Sequence, residues 1–300
     1  MKKTLLSTAL LLGALAAPAF AGTEDYCGLS NLSGSLGAGY SNYYTHQNLA
    51  PTGFLLDSGA MTTGASLTYR IPEVVDVVAA FSHTDLDPQN LGYGVGGEDF
   101  IHDANSFFVG LQGEKYKGLT TTFGYALEDG GIAGMMADLR KATKSNGAKS
   151  PFANRSHMEH QVRLGVKYQC QDSGLFLKGG VSYSFNGTEG WLMDVGLGYK
   201  WEPSDRVSFV LAGDVSFSQG YMTILDNKGY GQKLNGIDGY SISLAMPIQA
   251  SKRVTVTPYI AALWAGHNGI AFSKYTNSTW GSSAFKNFAP IAGVCVNWNF

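Results

Sequence analysis

The chain has 300 residues, of which 44% are hydrophobic and only 15% charged, and its formal charge is −2. A balance this close to neutral gives no reason to expect a nucleic-acid partner. The three cysteines, Cys27, Cys170 and Cys295, match no metal-ligand spacing, and no cofactor is expected.

Residues 1–21 read as an export signal. Lys2 and Lys3 supply the charged start, Leu5–Ala17 the apolar run, and Ala19-Phe20-Ala21 a small-x-small cleavage site. The apolar run is too short for a membrane helix, which needs about 20 residues. Cleavage leaves Gly22–Phe300, with 19 of the 21 basic residues against 23 acidic ones and a formal charge of −4. Residues 22–31 are assigned to a periplasmic N-terminal segment and 32–300 to the main body.

That body contains twelve segments that alternate apolar and small or polar residues. They are 32–44, 59–70, 74–84, 104–116, 119–129, 157–169, 174–186, 190–201, 205–218, 238–249, 253–265 and 287–300. A period of two marks a strand with two different environments. Many of these segments run 11–14 residues. Soluble strands average about 5–6 residues, while a tilted strand crossing a bilayer needs about 9–11.

The connections alternate in length. Those at 71–73, 117–118, 170–173, 202–204 and 250–252 are tight. Those at 45–58, 85–103, 130–156, 219–237 and 266–286 are long, and 187–189 is the short exception among them. Short periplasmic turns and long extracellular loops are the pattern of a transmembrane barrel. The expected fold is therefore all-β, an antiparallel transmembrane barrel of about twelve strands, with both termini periplasmic.

The outward faces are lipid-compatible, and the inward faces carry charge. The expected pore-lining residues are Arg70, Asp76, Glu114, Glu128, Arg163, Lys167, Lys178, Asp194, Lys200, Arg206 and Asp214, with Gln112 among them. Burying so many charges in a dry core would be costly, whereas a wet lumen tolerates them. Inward glycines such as Gly110, Gly124, Gly196 and Gly198 have two readings: close packing at a curved wall, or clearance for a permeant. Twelve strands imply a narrow interior, between the filled eight-stranded case and the open barrels of about 16–18 strands.

Arg163, Lys167, Lys178, Lys200 and Arg206 fall along one side of the wall, with Lys167 nearly opposite Lys178. Such a row repels itself unless countered, and Asp194 and Asp214 are the candidate counter-ions. The row is either a solvated network that stiffens the wall or a track for anionic or polar solutes. The 130–156 loop carries Arg140, Lys141, Lys144, Lys149 and Arg155. Inward folding as a constriction, binding of lipopolysaccharide phosphates, and simple solvation all fit that cluster.

Cys27 and Cys170 both fall on the periplasmic side, where a disulfide would strap the N-terminal segment across the barrel end. Cys295 faces inward. His83 and His160 face outward near the upper rim, but neither has an outward serine on its own strand, and no catalytic set is expected.

The export signal and the closing segment Val294-Cys295-Val296-Asn297-Trp298-Asn299-Phe300 resemble Gram-negative outer-membrane β-barrel proteins. The terminal Phe is similar to the recognition signal for the barrel-assembly machinery. Gly39-Tyr40-Ser41-Asn42-Tyr43-Tyr44 is similar to a small porin class, although His46-Gln47 stands where an Arg-Gly is often found. The resemblance implies an outer-membrane location and contact with membrane lipid and lipopolysaccharide. It also implies a porin-like channel for passive diffusion of small hydrophilic solutes, anions being one candidate class. Two alternatives stand: a structural or adhesive barrel with a filled lumen, and an outer-membrane lipid-modifying hydrolase.

Overall fold

A computed structural model describes residues 31–47, 51–72, 74–88, 103–113, 118–129, 158–170, 173–186, 189–225, 231–280 and 285–300. Twelve long strands form the wall: β1 (Leu32–Ser41), β4 (Ser58–Ile71), β5 (Val75–Pro88), β6 (Ala104–Gln112), β7 (Leu119–Asp129), β8 (Met158–Gln169), β9 (Leu175–Asn186), β10 (Gly190–Ser204), β11 (Val207–Leu225), β12 (Gly231–Ala245), β14 (Val254–Ala265) and β16 (Phe288–Asn299). Each pairs antiparallel with the next, and β16 returns to β1, from Ser35 opposite Asn299 to Ser41 opposite Gly293. Closure removes the exposed sheet edges that lipid could not hydrogen-bond.

Side-chain parity sorts the two faces. On β10, Trp191, Met193, Val195, Leu197, Tyr199 and Trp201 are exposed, while Leu192, Asp194, Gly196 and Gly198 between them are buried. The exposed apolar band is bounded by aromatic pairs. Trp201 stacks on Phe209 and Trp298 lies against Phe300 at the tight-turn end, and Tyr183–Trp191 and Trp264–Phe288 stand toward the other. An apolar belt between aromatic girdles is what a bilayer requires of a barrel.

The long-connection end departs from the sequence expectation in three places. First, 219–225 and 231–237 are strand: β11 runs to Leu225 and β12 starts at Gly231, so these two strands rise beyond their neighbours. Second, the 266–286 segment contains a helix, α1 (His267–Trp280). Third, β2 (Tyr44–Gln47), β3 (Pro51–Leu56) and β15 (Phe285–Lys286) form a separate three-stranded sheet over this end. Lys286 anchors that sheet to Asp57 at 3.3 Å. The segment expected at 238–249 also breaks. β12 stops at Ala245, and β13 (Ile248–Gln249) follows Pro247, which has no N–H for the ladder.

Candidate functional site

The inward faces carry the polar chemistry. Among the described residues, the buried charged side chains are Asp76, Glu128, Glu159, Asp194, Asp214 and Asp238, with Arg163 as the one buried cation. Alternation aims Asp76, Glu159, Arg163, Asp194 and Asp214 into the barrel, between neighbours on the outward face, and Glu128 shares the inward face with its partner Arg163, whereas Asp238 turns inward at a shift in the β11–β12 register.

The basic row does not stand uncompensated. Arg163 forms an ion pair with Glu128 and donates from Nε to Gln161 Oε1 at 2.9 Å. Lys167 and Lys178 are direct cross-strand partners, yet their side chains diverge. Lys167 lies over the Phe176 ring, 5.3 Å from its centroid, and Lys178 reaches Asp214 at 2.8 Å. Lys200 pairs with Glu202 at 2.6 Å near the tight-turn rim. Arg206 is exposed in the turn between β10 and β11. Arg70, also exposed, bonds to Asp76 at 3.3 Å at its own rim. Glu114, Cys27 and the cluster Arg140, Lys141, Lys144, Lys149 and Arg155 lie outside the described residues, and so does any Cys27–Cys170 bond. Cys295 is buried on the inward face of β16.

Packing occupies part of the space that the glycines leave. A Cβ on Gly196 would stand 2.0 Å from Asp214 Oδ1 and 2.6 Å from Lys178 Cε. One on Gly198 would meet Phe176 Cζ at 2.1 Å. Of the two readings of these glycines, close packing is the one these contacts support.

The outer half of the interior is bridged. Across β11 and β12, Gln219 pairs with Asn235 and Thr223 with Lys233, so three residues of β11 oppose one of β12. Gly220 takes a left-handed conformation there (φ 71°), which suits glycine. The bulge turns Tyr221 and Met222 inward, and both are fully buried. Tyr221 OH donates to Glu159 Oε2 on β8 at 3.0 Å. Glu159 also accepts from Gln161.

Above this bridge Tyr221 and Met222 join one apolar cluster with Ala60, Leu86, Leu192, Leu234, Phe272 and Phe285. Ala60 on β4 and Leu192 on β10 stand on opposite sides of the ring, so the cluster spans the mouth. Sequence parity could not find this. Tyr221 and Met222 sit in the bulge, and Phe272 sits on a helix that also buries the polar Asn268, Ser273 and Thr276.

A second polar knot lies beside the helix. Asp238 Oδ1 accepts from Ser218 Oγ at 2.7 Å and from Asn268 Nδ2 at 2.9 Å. Asn268 Nδ2 also donates to Gly236 O at 3.0 Å. On the outer face, His83 Nδ1 hydrogen-bonds Asn105 Oδ1 at 2.9 Å, and His160 hydrogen-bonds Tyr125 OH beside Phe185. Phe81 and Asp85 share the face of His83 on β5, so no serine accompanies it there.

No family model matches the chain, and no curated protein matches it in sequence. Solved structures match it in shape. An outer membrane channel from Pseudomonas putida F1 aligns with a TM-score of 0.52 at 9% identity, over 95% of this chain and 100% of that one. The translocator domain of the autotransporter NalP from Neisseria meningitidis gives 0.47 at 11% identity, over 96% and 92%. The KdgM porin gives 0.45 at 8% identity, over 89% and 99%. At these identities the likeness is one of fold. The chain has the fold of a Gram-negative outer-membrane β-barrel, closed on twelve strands.

Proposed function

We propose that the protein is a narrow outer-membrane channel for passive diffusion of small hydrophilic solutes. The observation that carries this reading is the inward wall of β7–β12, which places Glu128, Arg163, Lys178, Asp194 and Asp214 opposite a lipid-facing apolar band. Charged groups on the inside of a membrane barrel are costly unless paired or beside a polar path; Glu128 pairs with Arg163 and Lys178 with Asp214, and Asp194 is left for the path. The termini are assigned to the periplasm, on the side of the tight turns. Lipid and lipopolysaccharide contact the band, and the barrel-assembly machinery inserts the chain.

The reading is non-enzymatic. It is supported by the outward histidines, which engage Asn105 and Tyr125. Sustained turnover of phospholipid or lipid A by the purified protein would overturn that part.

A second reading, a structural or adhesive barrel with a filled lumen, is favoured by the apolar cluster across the mouth. Planar-bilayer recording separates the two. The channel reading expects discrete current steps from folded protein, whereas a filled barrel gives a silent bilayer.

A further inference from the structure

We propose that the interior wall of β10–β12 selects small cations, with Asp194, Asp214 and Asp238 as successive stations and Ser216 and Ser241 as neutral oxygen contacts beside them. The inference rests on the channel reading above and names the charge of the solute that such a channel passes.

Ladder register brings these groups together. Asp194 on β10 is the cross-strand partner of Ser216 on β11, and Asp214 on β11 is the partner of Ser241 on β12. Cross-strand partners on one face hold their Cβ atoms about 4.5–5.5 Å apart. Asp214 and Ser216 are two residues apart on β11 and share its inward face. Asp238 enters at the shift in β11–β12 register, where Ser216 pairs with Gly239 and Phe217 with Ile237. All five side chains are buried.

The balance of charge at this wall is negative. Lys178 pairs with Asp214 and also acts electrostatically on Asp194, so one cation faces two carboxylates. Asp238 is held by two neutral donors, Ser218 and Asn268. No ion pair reaches Asp194 among the described residues. The cationic residues elsewhere on the expected row are engaged by Glu128, Glu202 or the Phe176 ring, or lie exposed in a turn, so they offer an anion no matching track.

A second observation points to an occupant. Ser216 Oγ, Ser241 Oγ, Asp238 Oδ2 and Asn268 Oδ1 are buried without a hydrogen-bond partner among the described residues. Ser216 is 2% exposed and Asp238 0%. Buried oxygens left without donors are uncommon and call for water or an ion. The unpartnered atoms are all oxygens, the ligand type that hard cations take. Among the described residues, no three His, Cys, Asp or Glu side chains converge as a metal cage. The carboxylates are therefore stations spread along a wall, and conduction needs several weak sites rather than one tight one.

The test is the reversal potential of the folded full chain in a planar bilayer separating two KCl concentrations. The expected result is a several-fold preference for K⁺ over Cl⁻. Asp194→Asn combined with Asp238→Asn should move the ratio toward equality, while Asp194→Glu should keep it. Heat-modifiable gel mobility verifies each fold. If the double variant fails to fold, Asp194→Asn against Asp194→Glu makes the comparison. An indifferent or Cl⁻-preferring wild type overturns this inference and leaves the channel reading intact. A cation preference unmoved by these substitutions overturns the assignment to this wall. Silence from folded protein overturns both.

Discussion

Lys178 on β9 reaches Asp214 on β11 at 2.8 Å by crossing over Gly196 on the strand between them. Any side chain at 196 would stand in that path, so the glycine and the ion pair are one feature. Both ends of the pair are largely shielded from solvent, with side chains 17% and 5% exposed. Breaking a shielded pair costs more than breaking a surface one, because a charge is left behind.

Gly196→Ala should therefore destabilise the barrel by about 1–3 kcal/mol, the usual cost of overpacking. Gly213→Ala is the matched control, since a Cβ there meets only Ser241 O at 3.7 Å. It should stay within about 0.5 kcal/mol of wild type. Urea unfolding in lipid vesicles measures both, and equal effects would dissociate the glycine from the pair.

Tyr221→Phe keeps the ring and removes the donor to Glu159 Oε2. The expected cost is about 1–3 kcal/mol, because a buried acceptor loses a partner. The substitution also loosens the bridge across the interior, so single-channel current should rise or become noisier. Unchanged stability together with unchanged current would show that the bridge does not restrict the path.

Leu197 stands midway along β10 on the lipid-facing side and is 60% exposed. Leu197→Arg should cost about 2–4 kcal/mol, as for a charge placed at the bilayer midplane. Leu175→Arg, at the first residue of β9, should cost about 0–1 kcal/mol because it lies near the interface. Equal penalties would contradict the assigned depth.

Phe300 covers Gly34 where the last strand meets the first. Its backbone N–H donates to Gly34 O at 3.1 Å, and a Cβ on Gly34 would stand 2.5 Å from the Phe300 ring. Gly34→Val should reduce the heat-modifiable fraction recovered from outer membranes. Ala38→Val, on the same face of β1, should leave that fraction near wild type.

The wall was legible in the sequence because lipid on one side and polar contents on the other impose a strict period of two. Strand ends followed closely, as at β7, where the predicted and observed bounds are both 119–129. The mouth was not legible. Helix α1 buries Asn268, Phe272, Ser273 and Thr276, so three of these four side chains are polar and no apolar period appears. Tyr221 turns inward through a bulge, which parity cannot express. The Lys178–Asp214 pair skips a strand, so cross-strand reasoning pointed to the right residue types without the route over Gly196. The interior carboxylates Glu159 and Asp238 were missed. Glu159 sits at a strand start beside the uncharged Gln161, and Asp238 at a shift in strand register.

Single-channel recording of the purified, verified-folded chain in a planar bilayer tests the central reading most directly. Small, discrete conductance steps, enlarged by Tyr221→Phe, are the result expected of a narrow polar path partly closed at its outer end. A silent bilayer from folded wild type and folded Tyr221→Phe alike would contradict it and leave the filled barrel in its place.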